Sequence, residues 1–424
     1  MRLWLIPLIY IVVSIACGLT LPRIEHHFLP TYYSDGMSAA AALTFLSAVA
    51  SGVLALAAIV FSIAFVMVQF SAIAYSPRLV AWFGYDPRLF HALGVFFATF
   101  TYSMATVVWV DRAGTGKVPL LSSLLVLVLL ILSLLMFSRL IQRLADLQIT
   151  NVLYLIGTRG REAIDLMFKH HEGELDAATS PPSSLELARF GPALKTLTYS
   201  GEPRSIAHIE INSLVRQARS AGALIVMACG VGDTVVEGTV LLRIHGAGQQ
   251  VSEKRLIGAI QLARERTFKQ DPKFPIRLLV DIAIKALSPA INDPTTAVQA
   301  IDQIEDLLHR LVQCDLDSGY ARDADGVVRL IFPMPTWDDY STLAFDEIRQ
   351  YGIDSLQVMR RLRAALHGLE DSAGDENRSE AVRRYLRHLD EMVGHSSHDL
   401  EDRAVALQED RQGLGLSRKP SRVN

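Results

Sequence analysis

Charge is what the first third of this chain lacks. The run SAAAALTFLSAVASGVLALAAIVFSIAFVMVQFSAIAYSPR, from Ser38 to Arg78, holds no charged side chain before its final arginine. Cysteine is scarce as well: Cys17, Cys229 and Cys314 are the only three in 424 residues, at spacings that fit neither a zinc site nor a disulfide framework. No metal is therefore expected, and a reducing compartment suits the later part of the chain. The sequence also has no GxxxxGK[ST], HExxH or GxSxG, so no standard phosphate-cradling, zinc-hydrolase or serine-nucleophile motif is present. On those grounds neither an enzymatic activity nor a cofactor is expected, and with a net charge of −3 no nucleic-acid partner.

What the chain has in abundance is apolar length. Half of its residues are hydrophobic and 20% are charged, yet the average joins two unlike parts. Charges are few up to about Leu140, and from Arg143 onward they reach the density of a soluble protein. Four segments, 3–21, 39–74, 89–110 and 118–141, meet the requirement of roughly 20 apolar residues for a hydrocarbon layer of about 30 Å. The second is long for one crossing. As continuous helix at about 1.5 Å per residue it would extend roughly 54 Å, which calls for a tilt, a kink near Gly52 or a protruding end.

The first segment starts MRLWLIPLIYIVVSIACGLTLP, which also has the outline of a signal peptide. Its apolar run continues past Cys17 to Leu21, and no Leu or Val stands three residues before that cysteine, so an uncleaved helix is expected. Arg78 and Arg88 in the second connection, with Arg139, Arg143, Arg159 and Arg161 after the fourth helix, outweigh Arg23, Arg112 and Lys117 on the other side. Four crossings then place both termini in the cytoplasm. The absence of an organellar signature points to a bacterial inner membrane.

The fold class expected is α+β: a four-helix transmembrane domain over 1–149, then a cytoplasmic region with a small β module and a helical C-terminal part. Residues 150–185 read as helix and linker, 186–250 as β-rich, 251–410 as mainly helical, and 411–424 as a disordered basic tail. LKTLTYSGEPRSIAHIEI alternates apolar and polar residues about a Gly-Glu-Pro turn, the pattern of a strand pair. NSLVRQARSAG reads as a short helix with Asn212 as N-cap and Gly222 as stop. In GVGDTVVEGTVLL, Gly232, Asp233, Val235, Gly238 and Leu241 resemble the hammerhead of biotinyl and lipoyl domains. The lysine such carriers need is missing, because Gly248 stands near its place and Lys254 falls too late. A barrel-sandwich-like module without a prosthetic group is the expectation.

Two sets of residues are candidate sites. On the second helix Thr44, Ser47, Ser51, Ala55, Ala58, Ser62 and Gln69 share one face. Small residues there suit close helix packing in lipid, or the lining of a narrow pore in a ring of subunits. Ionisable residues are absent from the core of every predicted crossing, which disfavours an ion-coupled carrier and leaves passive conduction open. In the later part Arg266, Asp271, Asp281, Lys285, Ser288, Asn292, Asp293 and His309 crowd one stretch. Asp281 and Lys285 have surface-pair spacing, and Asp293-Pro294 has the form of a helix start. Arg266, Asp271, Lys285, Ser288, Asn292 and Asp293 could also bind an anion near that start.

The order of YSPRL, RTFKQDPKFPIRLLVDIAIKALSPAINDPTTAVQAID and LAFDEIRQYG behind four membrane helices resembles a bacterial membrane-protein family known as domain of unknown function 2254. The likeness runs from the first helix to about Leu369 and implies the architecture; it implies no catalytic residue. The leading functional expectation is a homo-oligomer in the lipid bilayer, acting in passive conduction or membrane-stress response and gated through its cytoplasmic region. A membrane-tethered module binding a ligand or scaffolding a partner is the alternative, and an enzyme acting on a lipid or nucleotide the third.

Overall fold

The structure is a computed structural model that describes residues 3–28, 38–70, 87–113, 118–145, 148–172, 181–246, 251–316, 318–395 and 399–415. Arg78 with the rest of YSPRL, the predicted helix end at 71–74, Lys117, Gly248 and the tail from 416 lie outside the described residues. The chain forms two compact units, Met1–Asn151 and Val152–Asn424.

The first unit holds α1 (Leu5–Phe28), α2 (Ala39–Phe70), α3 (Pro87–Ala113) and α4 (Leu120–Ala145). All four are long and apolar enough to cross a membrane. The inner helix is α3, which packs on the other three and buries 56% of its apolar window where α1 and α4 each bury 17%. Backbones come close where α1 meets α3: a Cβ on Gly18 would lie 2.6 Å from the Cβ of Ala105, and one on Gly94 would lie 2.8 Å from the Tyr10 ring. Several buried hydroxyls find partners, whereas Tyr102 Oη and Ser103 Oγ have none among the described residues. Thr99 Oγ1 donates to Val95 O at 2.8 Å and lies 3.0 Å from Ser133 Oγ, and Ser14 meets Thr101.

The end of the first helix differs from the predicted one. The first helix does not stop at residue 21 but runs through Pro22 to Phe28, and this brings Glu25 to a position only 2% exposed. The Glu25 carboxylate accepts from Leu121 N at 2.8 Å, Ser122 N at 3.2 Å and Ser122 Oγ at 3.1 Å. A carboxylate on the open N–H groups of a helix start is favoured by both hydrogen bonding and the helix dipole, so Glu25 caps α4. α2 is a single helix across Gly52 from Ala39 to Phe70.

The second unit opens with α5 (Ile149–Glu172) and the short α6 (Ser184–Ala188). Then follow β1 (Ala193–Thr198), β2 (Arg204–Ile209), α7 (Ile211–Ser220), β3 (Ala223–Met227), β4 (Thr234–Val235), β5 (Val240–Gly246), α8 (Glu253–Gly258) and β6 (Ile260–Ala263). Next come α9 (Lys273–Ala286), α10 (Pro294–Leu311), β7 (Tyr320–Arg322), β8 (Val328–Ile331), α11 (Trp337–Tyr351), α12 (Leu356–Ser372), α13 (Glu376–His395) and α14 (Leu400–Ala406). The strands make a five-stranded sheet in the order β1-β5-β3-β8-β7 and a three-stranded sheet in the order β4-β2-β6. Among the described strands only β3 and β8 run parallel.

The strand pair read at LKTLTYSGEPRSIAHIEI consists of two strands that do not pair with each other. β1 joins β5, and β2 joins β4 and β6. Strands also continue beyond 250, since β6, β7 and β8 complete the two sheets. The apolar alternation of each strand is satisfied by a shared core of Ile206, Leu214, Ile225, Val235, Leu242, Ile244 and Leu330 rather than by its sequence neighbour. Within the hammerhead-like stretch the roles are local: Gly232 and Gly238 take φ of +88° and +84°, and Val235 and Leu241 are buried. For α7 the cap is Glu210, not Asn212, because Ser213 N and Leu214 N both donate to Glu210 O.

Among the helices α9 packs on α10 and α11, and α12 on α10 and α13. Arg361 of α12, 7% exposed, bonds Asp302 of α10 at 2.7 Å and also Glu305. The first residues of the predicted disordered tail are instead held: the Asp410 carboxylate accepts from the N–H groups of Gln412, Gly413 and Gly415, and Arg360 donates to Gly415 O at 2.9 Å.

Candidate ligand cleft

The helix stripe faces outward. Thr44, Ser47, Ser51, Ala55, Ala58, Ser62 and Gln69 are all exposed, while α2 packs through Leu46, Val49, Val53, Ala57 and Val60. At roughly 100° per residue the two sets lie on opposite sides of the helix. Among the described residues the stripe therefore takes no part in the packing of α2. Its described hydroxyl bonds stay on its own helix, with Thr44 Oγ1 donating to Ala40 O at 2.8 Å and Ser51 Oγ to Ser47 O at 2.9 Å.

The polar stretch separates into two places. Lys285, Ser288, Asn292 and Asp293 build the turn from α9 into α10. Ser288 Oγ donates to Lys285 O at 2.7 Å, Asn292 takes φ +49°, and Asp293 caps α10 by accepting from Thr296 N at 3.1 Å with Pro294 in the first turn. Asp281 bonds Arg277 at 2.6 Å, and Arg277 also grips Glu347. Arg277 reaches both because it sits one turn before Asp281 and faces α11.

Arg266 and Asp271, in contrast, line a cleft of about 1560 Å³ inside the second unit. Arg266 donates from Nε at 2.9 Å and Nη2 at 3.1 Å to Asp271, whose side chain is 1% exposed. Burial pushes the Asp271 carboxyl above its ordinary range, and Arg266, Lys273 and the Phe274 N–H pull it back. The pair occupies the space beside Gly232, where a Cβ would stand 2.3 Å from Arg266 Nη2 and 2.6 Å from Asp271 Oδ2. Gln270, at φ +52°, turns its side chain to accept from Ile209 N at 3.1 Å, tying this loop to β2. Nearby His208 has its pKa lowered by burial, so its ring is neutral at pH 7.

The wall carries six cations, Arg216, Arg219, Arg266, Lys273, Arg277 and Arg322, against the carboxylates of Glu210, Asp233, Asp271, Asp323 and Asp339. Each of those carboxylates already accepts from the protein. Glu210 takes Gln261, Asp233 takes Gly230 N, Asp323 takes Arg329 with two backbone N–H groups, and Asp339 takes Thr336 in a capping box. Four of the cations are paired as well: Arg219 with Asp325, Arg266 with Asp271, Arg277 with Asp281 and Glu347, and Arg322 with Glu186. Arg216 and Lys273 make no hydrogen bond or ion pair with a described residue, and Arg266 keeps Nη1 open. The starts of α7 and α9 reach the same cleft, and neither has a side-chain cap. Opposite in character, Met167, Val231, Phe332 and Met334 give an apolar face.

Sequence reasoning had marked Arg266 and Asp271 but neither Arg216 nor Lys273. Nothing local distinguishes them, since an arginine on an amphipathic helix and a lysine at a helix start are ordinary surface residues. Among the described residues, no three His, Cys, Asp or Glu side chains gather closely enough to hold a metal.

Four membrane-length helices joined to a mixed α+β unit with a polar cleft define a multi-pass membrane protein with a second folded unit of its own. The chain belongs to the predicted membrane protein family known as domain of unknown function 2254, whose model matches residues 1–368. It is similar to uncharacterized proteins of Mycobacterium bovis and Mycobacterium tuberculosis strain H37Rv, each 27% identical over 360 residues that cover 82% of this chain and 67% of theirs. A protein of Mycobacterium tuberculosis strain CDC 1551 is 25% identical over the same shares. No solved structure matches the chain.

Proposed function

We propose that this is a membrane-anchored binding protein, in which the four helices fix the chain in a bilayer and the second unit takes a small anionic ligand in its cleft. One observation carries the reading: every carboxylate on the wall accepts a hydrogen bond from the protein, whereas Arg216 and Lys273 donate none to a described residue. A cation that lines a cleft with its N–H groups unspent offers charge-assisted hydrogen bonds to an anion from solution. The reading assigns binding rather than catalysis, in keeping with the missing catalytic motifs. The full-length protein in detergent should show a melting temperature raised by pyrophosphate or citrate, and not by spermidine, at matched ionic strength. A rise with spermidine alone would overturn it.

The even number of spans and the arginines after α4 support a cytoplasmic second unit in a bacterial inner membrane. A second reading, a homo-oligomer that conducts passively and is gated through its soluble unit, draws on the exposed stripe of α2. A face of small residues with satisfied hydroxyls suits contact with another helix in lipid. Discrete single-channel currents in planar bilayers, altered by Ser51→Leu or Ser62→Leu, would support it. Silence under voltage and tension with folding intact would remove it.

A further inference from the structure

We propose that the ligand of the cleft is a phosphate ester with an apolar body, its phosphate held by Arg216, Lys273 and Arg266 Nη1 and its body laid along Met167, Val231, Phe332 and Met334. The proposal rests on the anion-binding reading above and narrows it to one chemical class. Three features point to that class together.

The first is the direction of the donors. Arg216 comes from α7, Lys273 from the start of α9 and Arg266 from the loop between β6 and α9, so cations reach the cleft from three separate segments. A planar carboxylate is matched by one guanidinium fork, whereas the several oxygens of a phosphate accept from several directions. Arg266 is also held still, because two of its nitrogens are bound to the buried Asp271 and its guanidinium carbon lies 5.9 Å from the centre of the Phe274 ring. Its remaining nitrogen is thereby oriented without loss of side-chain freedom on binding.

Size is the second feature. Pockets for small organic ligands span roughly 300–1000 Å³, and the cleft holds about 1560 Å³. An inorganic anion would leave most of that space to water. The third feature is the apolar face, where two methionines and a phenylalanine offer an adaptable surface to a ring or a short chain. Cationic and apolar side chains lining one cavity fit a molecule with a charged end and an apolar end.

The test uses the full-length protein in detergent and isothermal titration with inorganic phosphate, adenosine 5′-monophosphate, dihexanoyl phosphatidate and octanoate. At least one of the two phosphate esters should bind tenfold or more tightly than inorganic phosphate and than octanoate. Which ester wins tells a nucleotide source from a lipid source. Arg216→Gln and Lys273→Gln, both at solvent-accessible positions, should each weaken the ester by at least tenfold while the melting temperature holds. Phe332→Ala should weaken the ester and leave inorganic phosphate unchanged. Equal affinity for ester and inorganic phosphate would overturn the ester assignment yet keep the anion reading. Octanoate binding as tightly as the esters would overturn the phosphate preference alone. No binding by any of the four probes would overturn both readings.

Discussion

Gly232 shows how one missing side chain makes room for a charged pair. At φ +88°, with Arg266 and Asp271 in the space a Cβ would enter, it answers to both backbone and packing. Gly232→Ala should cost about 1–3 kcal/mol, from the strained backbone and the displaced pair, and urea unfolding of the full-length protein would read the loss. Glu186 gives a prediction in pH. The hydrogen bond from Arg322, at 2.6 Å, holds its carboxyl below the ordinary range, helped by Val328 N and opposed by burial. Its contribution is then complete above the ordinary carboxylate pKa and fades as pH falls through the lowered folded value. Thermal melts from pH 7 to pH 3 should show wild type losing its margin over Glu186→Gln on the acid side. A margin that grew toward acid would contradict the assignment.

At the scale of elements, charged side chains fix helices to one another in both units. Glu25 joins α1 to the start of α4. Its loss in Glu25→Ala should cost about 1.5–3 kcal/mol, with Glu25→Gln costing less because one acceptor remains; steric-trap or denaturant unfolding in micelles would rank the two. Arg361 joins α12 to α10, so Arg361→Met should lower stability by about 2–3 kcal/mol, read as a downward shift of the denaturant midpoint. Helix starts were readable beforehand where one side chain carries the information, as Asp293 does for α10. The end of α1 was not readable, because what extends it past Pro22 is a contact with a segment almost a hundred residues away. Strand partners escaped for the same reason, since β1 and β2 pair only with distant strands.

For the molecule as a whole, the proposed topology of four crossings with a cytoplasmic second unit puts the start of α2 and the second unit on opposite faces of the bilayer. With the three native cysteines replaced by alanine, an impermeant maleimide on intact spheroplasts should label Ser38→Cys and leave Leu400→Cys unlabelled until the cells are opened. The reverse pattern would invert the cytoplasmic assignment. The stripe of α2 belongs to this scale too. No described residue of its own unit covers it, which leaves it open to lipid or to another helix.

The sequence by itself determined the membrane helices, because about 20 apolar residues in a row have no other comfortable environment. It also determined the two-part layout, the caps at Asp293 and the turn at Gly232, all set by interactions a few residues long. Tertiary structure alone decided that α3 is the inner helix, that Glu25 caps α4, and that the two β sheets draw strands from 193 to 331. It alone brought Arg216 and Lys273 to the cleft of Arg266. A lone arginine on a helix face carries no signal of its destination, since its neighbours there come from segments that the chain supplies fifty residues later.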